Sequence, residues 1–150
     1  GYELKNHGFT GFSKGGIKAL WHSMNLGQEQ RLVITESAID ALSHAQLYPD
    51  PNTAYISLGG SPSPAQMELA RSAIAKAQNR GSKVVMGTDN DPEGEKIAKR
   101  FSDGYSSIER ELPAYGKDWN EQIKHEMEQA KKQMERSQNQ SQSLSPNPAR

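Results

Sequence analysis

Short apolar runs, each followed at once by a segment of helical spacing, set the architecture open to this chain. Arg31 to Thr35 (RLVIT) is rich in branched residues and reads as a buried strand. Ser37 to Leu47 follows with Ile39, Leu42 and Ala45 at helical spacing, until Tyr48-Pro49-Asp50-Pro51 stops it. Thr53 to Ser57 (TAYIS) is the next strand, and Gly59-Gly60-Ser61-Pro62 is a turn. Pro64 to Arg80 carries Met67, Ala70, Ala73, Ile74 and Ala77 on one helical face and is closed by Gly81. Lys83 to Thr88 (KVVMGT) is a third strand, after which Asp91 caps and Pro92 opens a helix reaching about Phe101. Ser107 to Leu112 forms a fourth strand. Asp118 to Arg136 forms a last helix, with Trp119, Ile123, Met127, Ala130 and Met134 on one stripe. This alternation predicts an α/β fold: a parallel four-stranded sheet covered by helices on both faces.

The edges of the chain differ from this middle. Residues 1–30 are Gly-rich, with Phe9, Phe12 and Trp21 as spaced aromatics, and read as a flap or the end of a preceding domain. Residues 31–136 hold the regular pattern. Residues 137–150 (SQNQSQSLSPNPAR) are too poor in apolar groups to offset their ordering entropy and read as a disordered tail. That tail helps explain a hydrophobic content of 33% and a mean hydropathy of -0.86.

Charge and cysteine usage narrow the chemistry. The 18 basic residues balance the 18 acidic ones, so contact with a nucleic acid has to come from a local patch. With no cysteine, disulfides, thiolate zinc sites and cysteine nucleophiles are excluded together, and the composition fits a cytoplasmic protein. No apolar run is long enough to span a membrane.

Three carboxylates follow strand ends: Glu36 after the first strand, Asp89 and Asp91 after the third. Ligands of an open parallel sheet bind beyond the carboxyl ends of its strands, where the strand order reverses. Strand order 2-1-3-4 places strands one and three side by side and brings the three acids to that point. Gathered carboxylates repel one another unless a cation neutralises them. Oxygen donors without His or Cys suit Mg²⁺, or Mn²⁺. Mg²⁺ bridges readily to phosphate, so phosphoryl chemistry follows. An Asp at a strand end also serves as a helix cap or turn residue, but here two separate strands end in acids. Asp89-x-Asp91-x-Glu93-Gly94 matches the opening of a calcium loop as well. Its twelfth position, however, is Arg100 rather than a bidentate Glu, and a strand precedes it. A phosphoacceptor receiver domain would need the acidic pair after strand one and a Lys after a fifth strand, which is the inverse arrangement.

These residues together resemble a family. Glu36-Ser37-Ala38-Ile39-Asp40-Ala41-Leu42, Gly59-Gly60 and Thr88-Asp89-Asn90-Asp91-Pro92-Glu93-Gly94 resemble the Toprim signature shared by bacterial primases, topoisomerases, OLD-type nucleases and recombination mediators. Lys117-Asp118-Trp119-Asn120-Glu121 resembles an element of the primase branch, which includes primase-helicases. Gly11-Phe12-Ser13 to Leu20-Trp21 is similar to a segment that precedes such domains in plasmid relaxase and mobilisation proteins. The resemblance implies that Glu36 is a general acid/base or metal ligand, and that Asp89 and Asp91 bind metal. It implies that Asp40 and Asp118 help hold a second ion. Asp40 reads equally as an exposed helix residue, and Asp118 as an N-cap with Glu121 completing a capping box.

The resemblance also has gaps. Primases of this kind carry a zinc-binding module and a basic subdomain, and this chain has no Cys and only thirty residues before Arg31. It therefore reads as part of a larger DNA-processing protein, whose other domains are partners. Two functions stay open: Mg²⁺-dependent nucleotidyl transfer or phosphodiester cleavage on DNA or RNA, with nucleotides as possible ligands, or a non-catalytic module that binds DNA or a partner. Lys96, Lys99 and Arg100 on the helix after Asp91, together with Lys117, form a candidate phosphate-contacting face, and a solvated helix face is the other reading. Lys14 and Lys18, beside Phe12 and Trp21, form a candidate patch for tracking a single strand, or else part of a packed flap. His7, His22, His44 and His125 show no ligand spacing and receive no role.

Overall fold

The computed structural model of the chain describes residues 3–16, 18–105 and 107–143. A hairpin of β1 (Glu3–Asn6) and β2 (Phe9–Phe12) stands as a separate two-stranded sheet. The main sheet comprises β3 (Trp21–His22), β4 (Arg31–Thr35), β5 (Thr53–Ser57), β6 (Lys83–Met86) and β7 (Ile108–Arg110), in the order β3-β5-β4-β6-β7. The helices are α1 (Ala38–Leu47), α2 (Pro64–Asn79), α3 (Pro92–Ser102) and α4 (Trp119–Ser143).

The sheet thus has five strands rather than four, and it is mixed rather than parallel. β4 pairs in parallel with β5 and β6, and β6 with β7, while β3 adds an antiparallel edge through Trp21↔Ser57 and His22↔Ile56. A two-residue strand has no period to read, so the segment around Trp21 passes for a loop in the sequence. β6 and β7 are also shorter than their sequence patterns: the chain leaves β6 at Met86, and Gly87 and Thr88 already belong to the loop that carries the acids.

Alternation along the strands builds the two faces. Leu32, Ile34, Ala54, Ile56, Val84 and Met86 face α2 and α3, which contribute Met67, Ala70, Ile74, Ala77, Ile97 and Phe101. Val33, Tyr55 and Val85 face the other way, towards Ala41 and Ala45 of α1. The α2 entry is fixed by a capping box between Ser63 and Gln66 with Pro64 in the first turn, and Gln66 donates to Leu58 O at 2.8 Å.

Helix α1 is turned relative to its sequence pattern. Ile39 and Leu42 are 40% and 60% exposed, whereas Asp40, Ala41, Ser43 and His44 are buried. His44 and Asp40 meet groups on neighbouring elements. The His44 ring contacts Tyr55 Oη at 2.9 Å and meets Trp119 edge-on, with ring centroids 4.7 Å apart. Burial lowers the His44 pKa, against the pull of Glu111. A buried, matched His44 orients the helix more firmly than two leucine-sized groups left in solvent.

Helix α4 also departs from expectation. It continues to Ser143, seven residues into the stretch set aside as disordered, and residues 144–150 lie outside the described ones. Only the start of its stripe is buried: Trp119 and Ile123 are inside, while Met127 and Met134 are exposed. Trp119 fills the space beside His44 and Tyr48, and its Nε1–H donates to Gly87 O at 2.8 Å. Trp119→Ala is expected to lower unfolding stability by about 3–5 kcal/mol. Trp119→Phe should cost about 1 kcal/mol, mainly through the lost hydrogen bond. Urea denaturation of the two variants checks both values.

Candidate functional site

The parallel register sets Ile34 beside Met86, so the chain leaves β4 and β6 at the same end of the sheet. Glu36 lies in the short turn before α1, and Asp89 in the loop before α3. Glu36 Oε1 accepts from the Asp89 backbone N–H at 3.1 Å, which joins the two strand ends directly. Asp91 caps α3, its Oδ1 accepting from Gly94 N at 2.8 Å. Its other oxygen receives Lys117 Nζ at 2.9 Å, and the same ammonium reaches Asp89 Oδ2 at 3.2 Å. The remaining Asp89 oxygen, Oδ1, is buried without a hydrogen-bond partner among the described residues.

Asp40 and Asp118 stand around this group. Asp40 is buried; it accepts from Ser37 Oγ and, at 3.4 Å, from the Asn120 backbone N–H. Asp118 Oδ1 accepts from Glu121 N at 2.7 Å, the arrangement of an N-cap, while the Glu121 carboxylate turns back to Lys117 N at 2.7 Å. Both acids are near enough to Asp89 to oppose its ionisation.

The electrostatics follow from burial and crowding. Burial first, then the neighbouring Asp89 charge, pushes the Glu36 carboxyl up to about 6. Burial also raises Asp89, against Lys117, and the Asp40 and Asp118 charges raise it further. Asp91 is lowered by the Gly94 amide and then by Lys117. The Lys117 ammonium is raised above the ordinary lysine range by its hydrogen bonds to Asp91 and Asp89.

The family model described as Toprim-like matches residues 33–123 of this chain. The chain belongs to the Toprim-like family. Domains of this kind generally bind divalent metal and serve nucleotidyl transfer or cleavage. No protein of curated function matches the chain. Among solved structures, a small TOPRIM domain protein from Bacillus stearothermophilus is similar at 21% identity and a TM-score of 0.48, over 61% of this chain and 74% of that one.

The Toprim-like chain keeps its metal-type residues together without arranging them as a finished ion cage. Among the described residues, no three His, Cys, Asp or Glu side chains stand in metal-holding geometry. Lys117 stands between two of the acids. Carboxylates gathered around an ammonium at 2.9 and 3.2 Å stand further apart than Mg²⁺ would draw them, since its bonds to oxygen are about 2.0–2.1 Å. The donor set itself fits a hard divalent ion: carboxylate oxygens, one of them buried and unpartnered, around a point already held by a positive charge.

The basic residues are spread out. Lys117 belongs to the acid cluster rather than to an open cationic face. Lys96, Lys99 and Arg100 are exposed on α3, with Lys96 Nζ 3.7 Å from Glu93. Lys14 is exposed. Lys18 lies over the Gly59-Gly60 loop, close enough that a Cβ on Gly59 would stand 3.2 Å from Lys18 Cε. That loop adjoins the site, because Gly60 N donates to Glu36 O at 2.8 Å. The Phe12 side chain, with which Lys14 and Lys18 were grouped, lies outside the described residues.

Two further residues shape the acid loop, and no sequence signal singles out the first of them, Arg110. The Arg110 guanidinium on β7 donates to the carbonyls of Met86, Thr88 and Asp89 at 3.0, 2.7 and 2.8 Å, and so holds the backbone on either side of the turn. Only the pairing of β7 with β6 brings it there. Gly94 sits against the same loop: a Cβ there would meet Asp89 O at 2.1 Å. Gly94→Ala is therefore expected to cost about 3 kcal/mol and to displace the Asp89 carbonyl, read by denaturation and by amide shifts across residues 87–94.

The raised Glu36 pKa yields a pH prediction. A carboxyl whose folded pKa of about 6 exceeds its unfolded value of 4.5 favours the folded state only while protonated. That contribution is complete below 4.5 and is lost as pH rises through 6. In chelator-treated protein, Glu36→Gln is expected to be more stable than wild type at pH 7.5 by about 1 kcal/mol, allowing for the group's partial exposure. The gap should close as pH falls to 4.5, as followed by thermal melts across that range.

Proposed function

We propose that the chain is a primase-like Toprim module that binds Mg²⁺ or Mn²⁺ and acts in nucleotidyl transfer or phosphodiester cleavage on DNA or RNA. On this reading it works within a larger replication or plasmid-mobilisation protein, whose other domains supply what these 150 residues lack. The observation that carries the reading is the meeting of Glu36, Asp89 and Asp91 at one end of two adjacent parallel strands, with Asp89 Oδ1 buried and without a hydrogen-bond partner among the described residues.

Glu36, Asp89 and Asp91 would hold one ion, with Asp40 and Asp118 flanking a second. The bound ion supplies charge neutralisation and Lewis acidity at a phosphate. The chain's own groups do the rest. Glu36, pushed up to about 6, can take up or release a proton close to neutral pH, as a general acid/base requires. Asp91 is locked by the α3 amide that it caps, so its second oxygen stays directed to the site. Arg110 holds the loop carbonyls from behind, limiting rearrangement when charge changes in front. Lys18, Lys96, Lys99, Arg100 and Lys14 would meet a single-stranded backbone along its path to the acids.

A non-catalytic nucleic-acid- or partner-binding module is the second reading, favoured by the position of Lys117 in the place a metal would take. Titration with Mg²⁺ or Mn²⁺ separates the two. The catalytic reading expects millimolar metal to shift amides at residues 36–40 and 89–94, and expects Asp89→Asn to reduce affinity at least tenfold. An unresponsive wild-type chain, with DNA binding unchanged in Glu36→Gln, would establish the second reading instead.

A further inference from the structure

We propose that Lys117 is a tethered counter-ion: its ammonium occupies the place of a divalent ion between Asp89 and Asp91, metal loading displaces it, and the displaced ammonium becomes available to a phosphate. The inference rests on reading Glu36, Asp89 and Asp91 as metal ligands.

The geometry separates a fixed root from a free tip. Lys117 O accepts from Asn90 N at 2.7 Å, and Lys117 N donates to Glu121 Oε2, so both backbone groups are tied down. The preceding Gly116 has φ 77°, and a Cβ there would meet Glu121 Oε2 at 2.6 Å, so the turn that delivers Lys117 requires glycine. The side chain itself is 52% exposed, with a flexible four-carbon stem that can swing to solvent. Its partners are held more firmly. The Asp89 and Asp91 side chains are 12% and 26% exposed, and Asp91 is pinned by the Gly94 amide. Displacement therefore moves the cation and leaves the anions in place.

Charge gives the direction of the exchange. Three carboxylates with one ammonium are under-neutralised, and a divalent ion at shorter range neutralises them better. The ammonium nevertheless competes for the same oxygens. Removing it should tighten metal binding, the reverse of what deleting a ligand does. An ammonium that merely staples the loop would give the opposite result, since its loss would scatter the carboxylates.

The test is Mn²⁺ binding to the whole chain at pH 7.5, by calorimetry or by the free-ion paramagnetic signal, for wild type, Lys117→Met and Lys117→Arg. Met keeps the stem and removes the charge; Arg keeps the charge. The expected result is affinity on the order of tenfold tighter for Lys117→Met and no tighter for Lys117→Arg. Equal or weaker binding by Lys117→Met, with wild type binding normally, would overturn the inference and leave the metal reading standing. Absence of Mn²⁺ binding in all three would remove both. Wild type provides a measurement that does not depend on how the variants fold. The ¹⁵N-detected Lys117 ammonium should exchange slowly in metal-free protein and lose that protection when Mg²⁺ is added. Protection that persists at saturating Mg²⁺ would overturn the inference.

Discussion

Parallel pairing between β4 and β6 is the constraint on which the rest of the structure depends. Parallel strands present their carboxyl ends on the same side, and a register of Ile34 to Met86 puts the two exits next to each other. Glu36 and Asp89 are 53 positions apart in the chain, yet share a hydrogen bond between side chain and backbone. No local conformation could bring them together. The hydrophobic layers on both faces maintain the pairing, so the acid centre draws its geometry from Leu32, Ile34, Val84 and Met86 as much as from the acids themselves.

Around that pairing, a few polar contacts convert a strand end into a defined loop. Trp119 holds the Gly87 carbonyl, Arg110 holds those of Thr88 and Asp89, and Asn90 bonds to Lys117 O. The partners come from β7, α4 and the turn before α4, all late in the chain. The loop is therefore shaped from outside rather than by its own sequence. Its tightness excludes a side chain at Gly94, and Asp89 Oδ1 has no donor among the described residues. The loop backbone is thus satisfied on one side, while on the other one buried carboxylate oxygen keeps its demand for a partner.

The acids were legible from sequence because each stands beside a strongly patterned strand, and strand periodicity survives without context. The same holds for Met67, Ala70, Ile74 and Ala77 on α2. Legibility fails where a partner element decides. Ile39 and Leu42 look like a core stripe, but His44 and Asp40 have matched partners in Tyr55 and Asn120, and those contacts turn the helix. Arg110 lies in an alternating run of charges (IER) with nothing to distinguish it from Glu109. Lys117 reads as a candidate phosphate contact, and its place between Asp89 and Asp91 emerges only once β4 and β6 are set side by side. Residues 137–140 lack apolar groups, which argues correctly against burial: the helix carries them exposed instead of adding to a core.

The flanks of the main sheet carry a consequence of their own. An exposed strand edge is a template for pairing with other chains, and the hazard grows with its length. Here the outermost strands are β3, of two residues, and β7, of three. Neither offers enough consecutive backbone donors and acceptors for a lasting ladder, and β7 exposes the charged Glu109. The long, apolar β4 and β5, which would aggregate if bare, lie inside the sheet. A domain bounded in this way can sit beside other domains at high local concentration while its sheet remains closed to unintended strand exchange.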